Sequence, residues 1–169
     1  MAEEGVVRVF IENEAGSDIK HTYDEQSLAL LRTAKVSAAY PFPYGFVMGT
    51  RSGDGDAVDC FLIATGGQAR SLMSGTVIAC EPAALLEQIE DGEVDHKILA
   101  VLPGARLQAP DAVAARIQSF VTQVFAHIPG KAIQVGRLLD RAAAEAFIAA
   151  STHPGQNEGR PLTGARDGS

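Results

Sequence analysis

The sequence predicts an α+β protein that is mainly β: a closed barrel of short strands with two α-helices packed on its outside. Three observations lead to this prediction. About seven short apolar or alternating runs are separated by turns that contain glycine or proline. Helical periodicity begins only after Pro110. The chain has 169 residues, of which 46% are hydrophobic, which suffices for one domain with its own core.

The predicted strands follow one another through most of the chain. Val7, Val9 and Ile11 alternate with other residues, which is the period of a half-buried strand. A turn of Asn, Gly, Ser and Asp then leads into a second run, so the first two strands are predicted to form a hairpin. The strands are expected at Val6–Glu12, Ile19–Asp24, Ser27–Ala34, Val58–Ala64, Thr76–Cys80, Ile98–Leu102 and Lys131–Val135.

Two helices and a tail are predicted toward the C-terminal end. From Pro110 apolar residues recur at helical spacing as far as Ile128, where Pro129 and a glycine end the pattern. The alanine-rich segment Leu138–Ala150 is the second predicted helix. Residues 152–169 contain almost no apolar side chains, so we expect a single domain over residues 1–151 followed by a loosely ordered tail.

The charge and cysteine content exclude several classes of protein. Fourteen Lys and Arg against 21 Asp and Glu give a net charge of −7, which argues against a nucleic-acid partner or an anionic membrane. Cys60 and Cys80 lie in apolar runs, and two cysteines form neither a disulfide framework nor a zinc cluster. No apolar stretch approaches 18 residues, and Met1–Gly5 is acidic rather than basic. These features predict a cytoplasmic protein.

An acidic loop is the most informative segment chemically. Asp54, Asp56 and Asp59 place three carboxylates within six residues at the start of a predicted strand. Like charges at this density are unfavourable unless a cation lies among them. An EF-hand is excluded because its sixth and twelfth positions require Gly and Glu, and this chain has Asp59 and Thr65 there. The loop therefore predicts a site of Mg²⁺ type with hard oxygen ligands.

Further charged residues could complete such a site. The segment Glu87–Asp95 holds five carboxylates in nine residues, and alone it is typical of a solvated loop. A cation site, however, takes ligands from separate segments, and Glu12 is a third source. Lys20, Arg32 and Lys97 are isolated cations of the kind found at sheet edges. Beside a metal cluster they would instead form a phosphate clamp.

Three motifs in order resemble the soluble family I inorganic pyrophosphatases. They are YPFPYGF at Tyr40–Phe46, DGDAVD at Asp54–Asp59 and DGEVDHK at Asp91–Lys97. The likeness extends from about Val6 to Pro103, and more loosely to Ala150. It implies an OB-like five-stranded β-barrel with flanking hairpin strands and two C-terminal α-helices. It also implies hydrolysis of pyrophosphate to two orthophosphates by a metal-activated water, several Mg²⁺ ions per site, and a homo-oligomer that is a hexamer in bacterial members.

The resemblance also implies a role for each matching residue. The metal-binding carboxylates would be Asp54, Asp59, Asp95, Glu90 and Glu12. Asp56 would take a proton from the attacking water. The phosphate-binding cations would be Lys20, Arg32 and Lys97, and Tyr44 would form hydrogen bonds at the catalytic centre and to the substrate.

This chain departs from the family pattern in ways that leave alternatives open. Thr22 stands where the family usually has Glu, Glu90 where Asp is usual, and Val124 and Phe125 where it has a Tyr-Lys pair. One alternative is a divergent enzyme that acts weakly on pyrophosphate or on another small phosphoanhydride. The other is a non-catalytic metal-binding module on the same fold.

Overall fold

The structure is a computed structural model that describes residues 5–53 and 55–152. Asp54 and residues 153–169 of the predicted tail therefore lie outside the described residues. Thr152, at the last described position, forms an isolated antiparallel bridge with Thr50.

The described residues form nine strands and three helices. In chain order they are β1 Val7–Asn13, β2 Ile19–Tyr23, β3 Leu30–Lys35, β4 Tyr44–Val47, β5 Asp59–Leu62, α1 Gly66–Arg70, β6 Val77–Glu90, β7 Glu93–Val94, β8 Lys97–Val101, α2 Pro110–Gln123, β9 Ile133–Leu139 and α3 Arg141–Ala150. This composition confirms the predicted α+β, mainly β class. No helix among these residues is long and apolar enough to cross a membrane.

Five strands close into a ring in the order β1-β4-β5-β8-β6, and β6 pairs with β1 to complete it. Within the ring β5 and β8 are parallel, and the other four pairs are antiparallel. The 14-residue strand β6 makes closure possible because its first residues pair with β1 and its later residues pair with β8 and β9.

The predicted hairpin of the first two strands is wrong, because β2 pairs with β3 in a separate two-stranded sheet. Both edges of β1 are occupied by β4 and β6, so β2 finds no free edge there. Side chains join the two strands instead. The backbone N–H of His21 donates to Oδ1 of Asn13 at 2.6 Å, and that of Tyr23 donates to a carboxylate oxygen of Glu12 at 3.4 Å.

Several other boundaries differ from the prediction; the strands expected at Ser27–Ala34 and Lys131–Val135 lie at Leu30–Lys35 and Ile133–Leu139. The strand expected at Thr76–Cys80 continues to Glu90, with a register irregularity after Pro82 that accommodates the proline. The first long helix ends at Gln123 rather than near Ile128. The second begins only at Arg141, because Leu138 and Leu139 belong to β9 and Asp140 caps the helix by accepting a hydrogen bond from the backbone N–H of Ala143.

The alternation of side chains along the ring strands produces two large apolar clusters, besides a small one around Phe10 and Phe46. On β5, Cys60 and Leu62 pack in one cluster, together with residues of α3, whereas Phe61 packs in the other, together with residues of α2. Cys60 and Cys80 are both buried and unbridged. The two long helices thus cover different apolar surfaces of the sheet, and α2 lies on the side that contains the site described next.

Candidate active site

One cavity of about 840 Å³ brings together every described residue to which the sequence assigned a role. It is lined by Glu12 of β1, Lys20 and Arg32 of the β2–β3 hairpin, Tyr44 of β4, Asp56 and Asp59 at the start of β5, and Glu90, Asp95 and Lys97 from β6 to β8. Asp54 is the one predicted site residue outside the described part of the chain. The closed ring brings the residues on and next to its strands to a single cavity, and the separate β2–β3 hairpin adds Lys20 and Arg32.

Lys97 is at the centre of the site. Its Nζ lies 2.7 Å from Oδ2 of Asp59 and 3.1 Å from Oδ2 of Asp95, and it donates to the hydroxyl of Tyr44 at 3.2 Å. The Lys97 side chain is only 6% exposed. A buried ammonium group is stable only with such partners, so its position is tightly defined.

The parallel pairing of β5 and β8 brings these charges together. Asp59 is the register partner of Lys97, and Phe61 is the partner of Leu99 two residues further on. Residues opposite each other in register point to the same face of a sheet. Asp95 precedes Lys97 by two residues, so it approaches the same ammonium group from the adjacent turn.

The two carboxylates next to Lys97 respond differently to it. Burial is the largest effect on Asp59 and opposes its ionisation, but the charge of Lys97 and the side-chain hydrogen bonds of Lys97, Asp95 and Tyr44 together outweigh burial and lower the pKa of Asp59. Burial dominates at Asp95, together with the charge of Asp59, and raises its pKa to about 8. Burial alone would favour neutral Lys97, yet both carboxylates raise its pKa above the ordinary value. One ammonium group therefore does not neutralise the local negative charge.

Glu12 adds to this excess of negative charge. It lies at a register irregularity of β1, a feature that often re-aims a side chain near a functional site. Burial raises the pKa of Glu12 to about 7, since the opposing effect of Lys20 is smaller and Asp59 adds repulsion.

Glu25 is a cavity carboxylate that the sequence analysis missed. It follows β2 in the hairpin turn, and its Oε1 accepts a hydrogen bond from the backbone N–H of Ala57 at 3.1 Å. Burial raises its pKa, and the charges of Asp56 and Asp59 raise it further. No local pattern in the hairpin turn signals a contact with a loop 32 residues later.

Aromatic side chains form the wall that faces α2. The Tyr44 ring packs against Tyr40 at 5.4 Å and against Phe61 at 4.7 Å between ring centroids. Burial raises the pKa of Tyr44 well above its ordinary value, so its hydroxyl stays protonated. Val124 and Phe125 complete this wall beyond the end of α2, and Thr22 lines the cavity from β2. The positions at which the chain departs from the family pattern thus face the cavity.

Lys131 is a second residue that the sequence analysis missed, because it was assigned only to a strand. It lines the cavity between α2 and β9, and its Nζ lies 2.5 Å from Oε2 of Glu90. The same Nζ lies 3.6 Å from Oδ2 of Asp91 and 5.1 Å from the centroid of the Phe125 ring.

The donor chemistry of the cavity fits a hard divalent cation. Within residues 5–53 and 55–152, no three Asp, Glu, His or Cys side chains are grouped as ready metal ligands. Lys97 instead contacts two of the candidate carboxylates directly. Burial, with repulsion from Asp59, raises the pKa values of Glu12 and Asp95, so ionising these carboxylates together is unfavourable. A divalent cation with oxygen ligands would relieve that repulsion.

Comparisons with known proteins show which family the chain resembles. A sequence model of the family described as "Inorganic pyrophosphatase" matches residues 9–154. An inorganic pyrophosphatase of Aeropyrum pernix is 32% identical over 143 residues, which cover 77% of this chain and 78% of that protein. One of Nostoc sp. is 39% identical over 99 residues, which cover 57% of this chain and 56% of that protein. The chain thus spans about half the length of several curated relatives it matches.

Solved structures show the same fold. The structure described as an inorganic phosphatase from Anaplasma phagocytophilum is 28% identical, with a TM-score of 0.77 over 88% of this chain and 92% of that one. The inorganic pyrophosphatase from Thermus thermophilus is 27% identical, with a TM-score of 0.76 over 89% and 91% of the two chains. These neighbours confirm the predicted OB-like fold, here a ring of five strands.

Proposed function

The chain belongs to the inorganic pyrophosphatase family, and from that premise we propose that it hydrolyses inorganic pyrophosphate to two orthophosphates. The observation that supports this activity best is the convergence of nine predicted site residues, from segments distant in the chain, on a single cavity. Carboxylates for cations, cations for phosphate and a carboxylate available as a base are the groups that phosphoryl transfer to water requires.

A divalent metal cofactor is general in the family, and we propose Mg²⁺ for this chain. Asp59, Asp95, Glu90 and Glu12, with Asp54 outside the described residues, are the carboxylates proposed to hold several such ions. When bound, the ions would neutralise the substrate and acidify a water molecule toward neutral pH. The contact of one ammonium group, that of Lys97, with two carboxylates, those of Asp59 and Asp95, supports this assignment.

The remaining site residues are proposed to bind phosphate, to donate a hydrogen bond or to accept a proton. Asp56 lines the cavity beside the proposed metal carboxylates and is proposed to take a proton from the attacking water. Lys20 and Arg32 are proposed to bind phosphate from the β2–β3 hairpin, and Lys97 from the base of the cavity. The neutral hydroxyl of Tyr44 keeps its proton and so can serve as a hydrogen-bond donor beside Lys97.

A second candidate function is favoured by the apolar end of α2. Val124 and Phe125 present hydrocarbon to the cavity where the family resemblance implies Tyr and Lys. A phosphoanhydride with an organic group would bury that group against this wall, whereas pyrophosphate offers nothing apolar to it. The second candidate is therefore hydrolysis of another small phosphoanhydride.

Phosphate release from a panel of phosphoanhydrides, with and without Mg²⁺, tests both functions. Preferential Mg²⁺-dependent hydrolysis of pyrophosphate supports the first, and preference for an organic phosphoanhydride supports the second. Absence of hydrolysis with retained Mg²⁺ binding would identify a non-catalytic metal-binding module. The cytoplasmic location and the homo-oligomeric, hexameric assembly stay predictions from the sequence; gel filtration with light scattering tests the assembly.

A further inference from the structure

Lys131 is a cationic side chain of the cavity to which the proposed function assigns no role. Among the described residues, the cationic side chains that line the cavity are Lys20, Arg32, Lys97 and Lys131. Lys97 already contacts two carboxylates and a tyrosine and is nearly inaccessible. Lys131 differs from it, because its side chain is 24% exposed and lies at the wall formed by the end of α2 and the start of β9.

The backbone holds Lys131 firmly in this place. The next residue, Ala132, accepts a hydrogen bond from the backbone N–H of Asp91 at 2.8 Å and donates its own N–H to Oδ1 of Asp91 at 2.9 Å. These two bonds fasten the segment before β9 to the turn between β6 and β7. The backbone next to Lys131 is therefore fixed relative to the cavity.

The contacts of Lys131 leave its charge available to a ligand. Its two ionic partners, Glu90 and Asp91, both line the cavity, and its Nζ lies over the ring of Phe125. An ammonium group carries three donors, so these contacts do not exhaust its capacity for hydrogen bonds. Phe125 carries no charge. Lys131 therefore supplies positive charge beside the apolar side chains of Val124 and Phe125.

We propose that Lys131 is a phosphate-binding residue of this site and provides the positive charge that is missing at Phe125. This inference rests on the proposed function, since it assigns the phosphate of the same substrate to a further cation. Lys20 and Arg32 reach the cavity from the β2–β3 hairpin, and Lys131 reaches it from the segment before β9. Lys131 would thus contact a dianionic or more highly charged ligand from a segment other than those of Lys20, Arg32 and Lys97.

The test measures binding of methylene diphosphonate, a non-hydrolysable analogue of pyrophosphate, by calorimetry in the presence of Mg²⁺. Because hydrogen bonds from charged donors are the strong ones, Lys131→Gln should weaken this binding by about 10- to 100-fold. Lys131→Arg should retain most of it, because the charge is kept. The matched control is Lys35→Gln, which removes an exposed lysine paired with Asp18 outside this cavity and should leave binding unchanged.

A second substitution that restores the positive charge distinguishes phosphate binding by Lys131 from a structural role. Adding Phe125→Lys to Lys131→Gln should restore at least about tenfold of the lost affinity, since the new ammonium group starts from the same wall. The melting temperature of Lys131→Gln should match the wild type, and its Mg²⁺ affinity without diphosphonate should not fall, because removing a positive charge beside Glu90 does not weaken a cation site. If the double variant does not fold, the comparison of Lys131→Gln with Lys131→Arg decides.

Two results would overturn the inference. Unchanged diphosphonate affinity in Lys131→Gln would show that the lysine does not contact the ligand, while wild-type hydrolysis of pyrophosphate would leave the proposed function intact. An equal loss of Mg²⁺ affinity in that variant would show that Lys131 acts only by positioning Glu90. A wild-type chain that neither binds the diphosphonate nor hydrolyses pyrophosphate would contradict the proposed function itself.

Discussion

Asp59 and Lys97 are register partners in a parallel strand pair, and their side chains meet with 2.7 Å between Oδ2 and Nζ. Parallel pairing places the N-terminal ends of β5 and β8 side by side, so the segments that precede both strands enter the same cavity. The two acidic segments of the sequence therefore converge although 38 residues separate Asp59 from Lys97.

This pair predicts that a cation can compensate for the loss of Lys97. In Lys97→Met, Asp59 and Asp95 lose their buried partner, and breaking a buried ion pair typically destabilises a protein by about 3–5 kcal/mol. We expect a fall of this size in the free energy of unfolding in EDTA at pH 8, measured by urea denaturation. Mg²⁺ should stabilise the variant more than the wild type, whereas Lys35→Met, at an exposed pair, should respond to EDTA and Mg²⁺ as the wild type does. Equal Mg²⁺ responses of Lys97→Met and the wild type would contradict this prediction.

Asp56 and Asp59 are predicted to differ in their effects on rate and on metal binding. A general base contributes roughly 10²–10⁴-fold, so Asp56→Asn should lower the maximal rate of pyrophosphate hydrolysis within this range. Asp59→Asn should lower Mg²⁺ affinity and reduce activity by more than about tenfold, a barrier change above roughly 1.4 kcal/mol. Activity assays and Mg²⁺ titration calorimetry measure both effects. Equal losses of Mg²⁺ affinity would make Asp56 a ligand rather than the base.

The raised pKa values predict how stability depends on pH without metal. Glu12 and Asp95 bind protons more tightly when folded, with pKa values near 7 and 8 against ordinary values of 4.5 and 3.8. Their contribution is therefore fully present below about pH 4 and is lost as the pH rises through 7 to 8. Thermal melts in EDTA should show a fall in melting temperature from these groups across that range.

Glu12→Gln should remove part of this pH dependence because the amide does not titrate there. The exposed Glu145→Gln is the matched control and should retain the wild-type profile. Saturating Mg²⁺ should flatten the decline in the wild type, since the cation favours the ionised carboxylates. A profile of the wild type in EDTA that rises from pH 5 to pH 8 would refute the assignment.

Gly45 is predicted to be essential for the close approach of β4 to β1. A Cβ atom at this position would lie 1.7 Å from the backbone oxygen of Phe10, which a side-chain rotation cannot relieve. Gly45→Ala should therefore destabilise the protein by at least about 1–3 kcal/mol, the usual cost of overpacking. Gly67→Ala is the control, because its nearest neighbour is the flexible end of Arg70 at 4.0 Å. Chemical denaturation of both variants measures the difference, and equal stabilities would contradict the prediction.

The sequence predicts those parts of the fold and site that depend on local pattern. The alternation in β1, the carboxylates of the acidic loop and the start of α2 at Pro110 are all visible locally. The length of β6 is not visible in the local sequence, because Pro82 and the acidic run interrupt its apolar pattern. Its partners β1, β8 and β9 determine how far the strand extends. Glu25 and Lys131 were missed for the same reason: their contacts depend on which turns meet in space.

The closure of the ring between β1 and β6 has a consequence for the order of folding. β6 meets β8 through a short connection, whereas Val7 and its partner Cys80 are about seventy residues apart, so loop-closure entropy opposes their pairing. We expect the segment from β6 to β9 to form first and β1 to join last. Glu12 lies on β1, so a folding intermediate in which β1 is not yet paired would contain Asp95 and Lys97 but would lack a complete site. Transient separation of β1 from β6 in the native protein would likewise inactivate the site without unfolding the rest of the sheet.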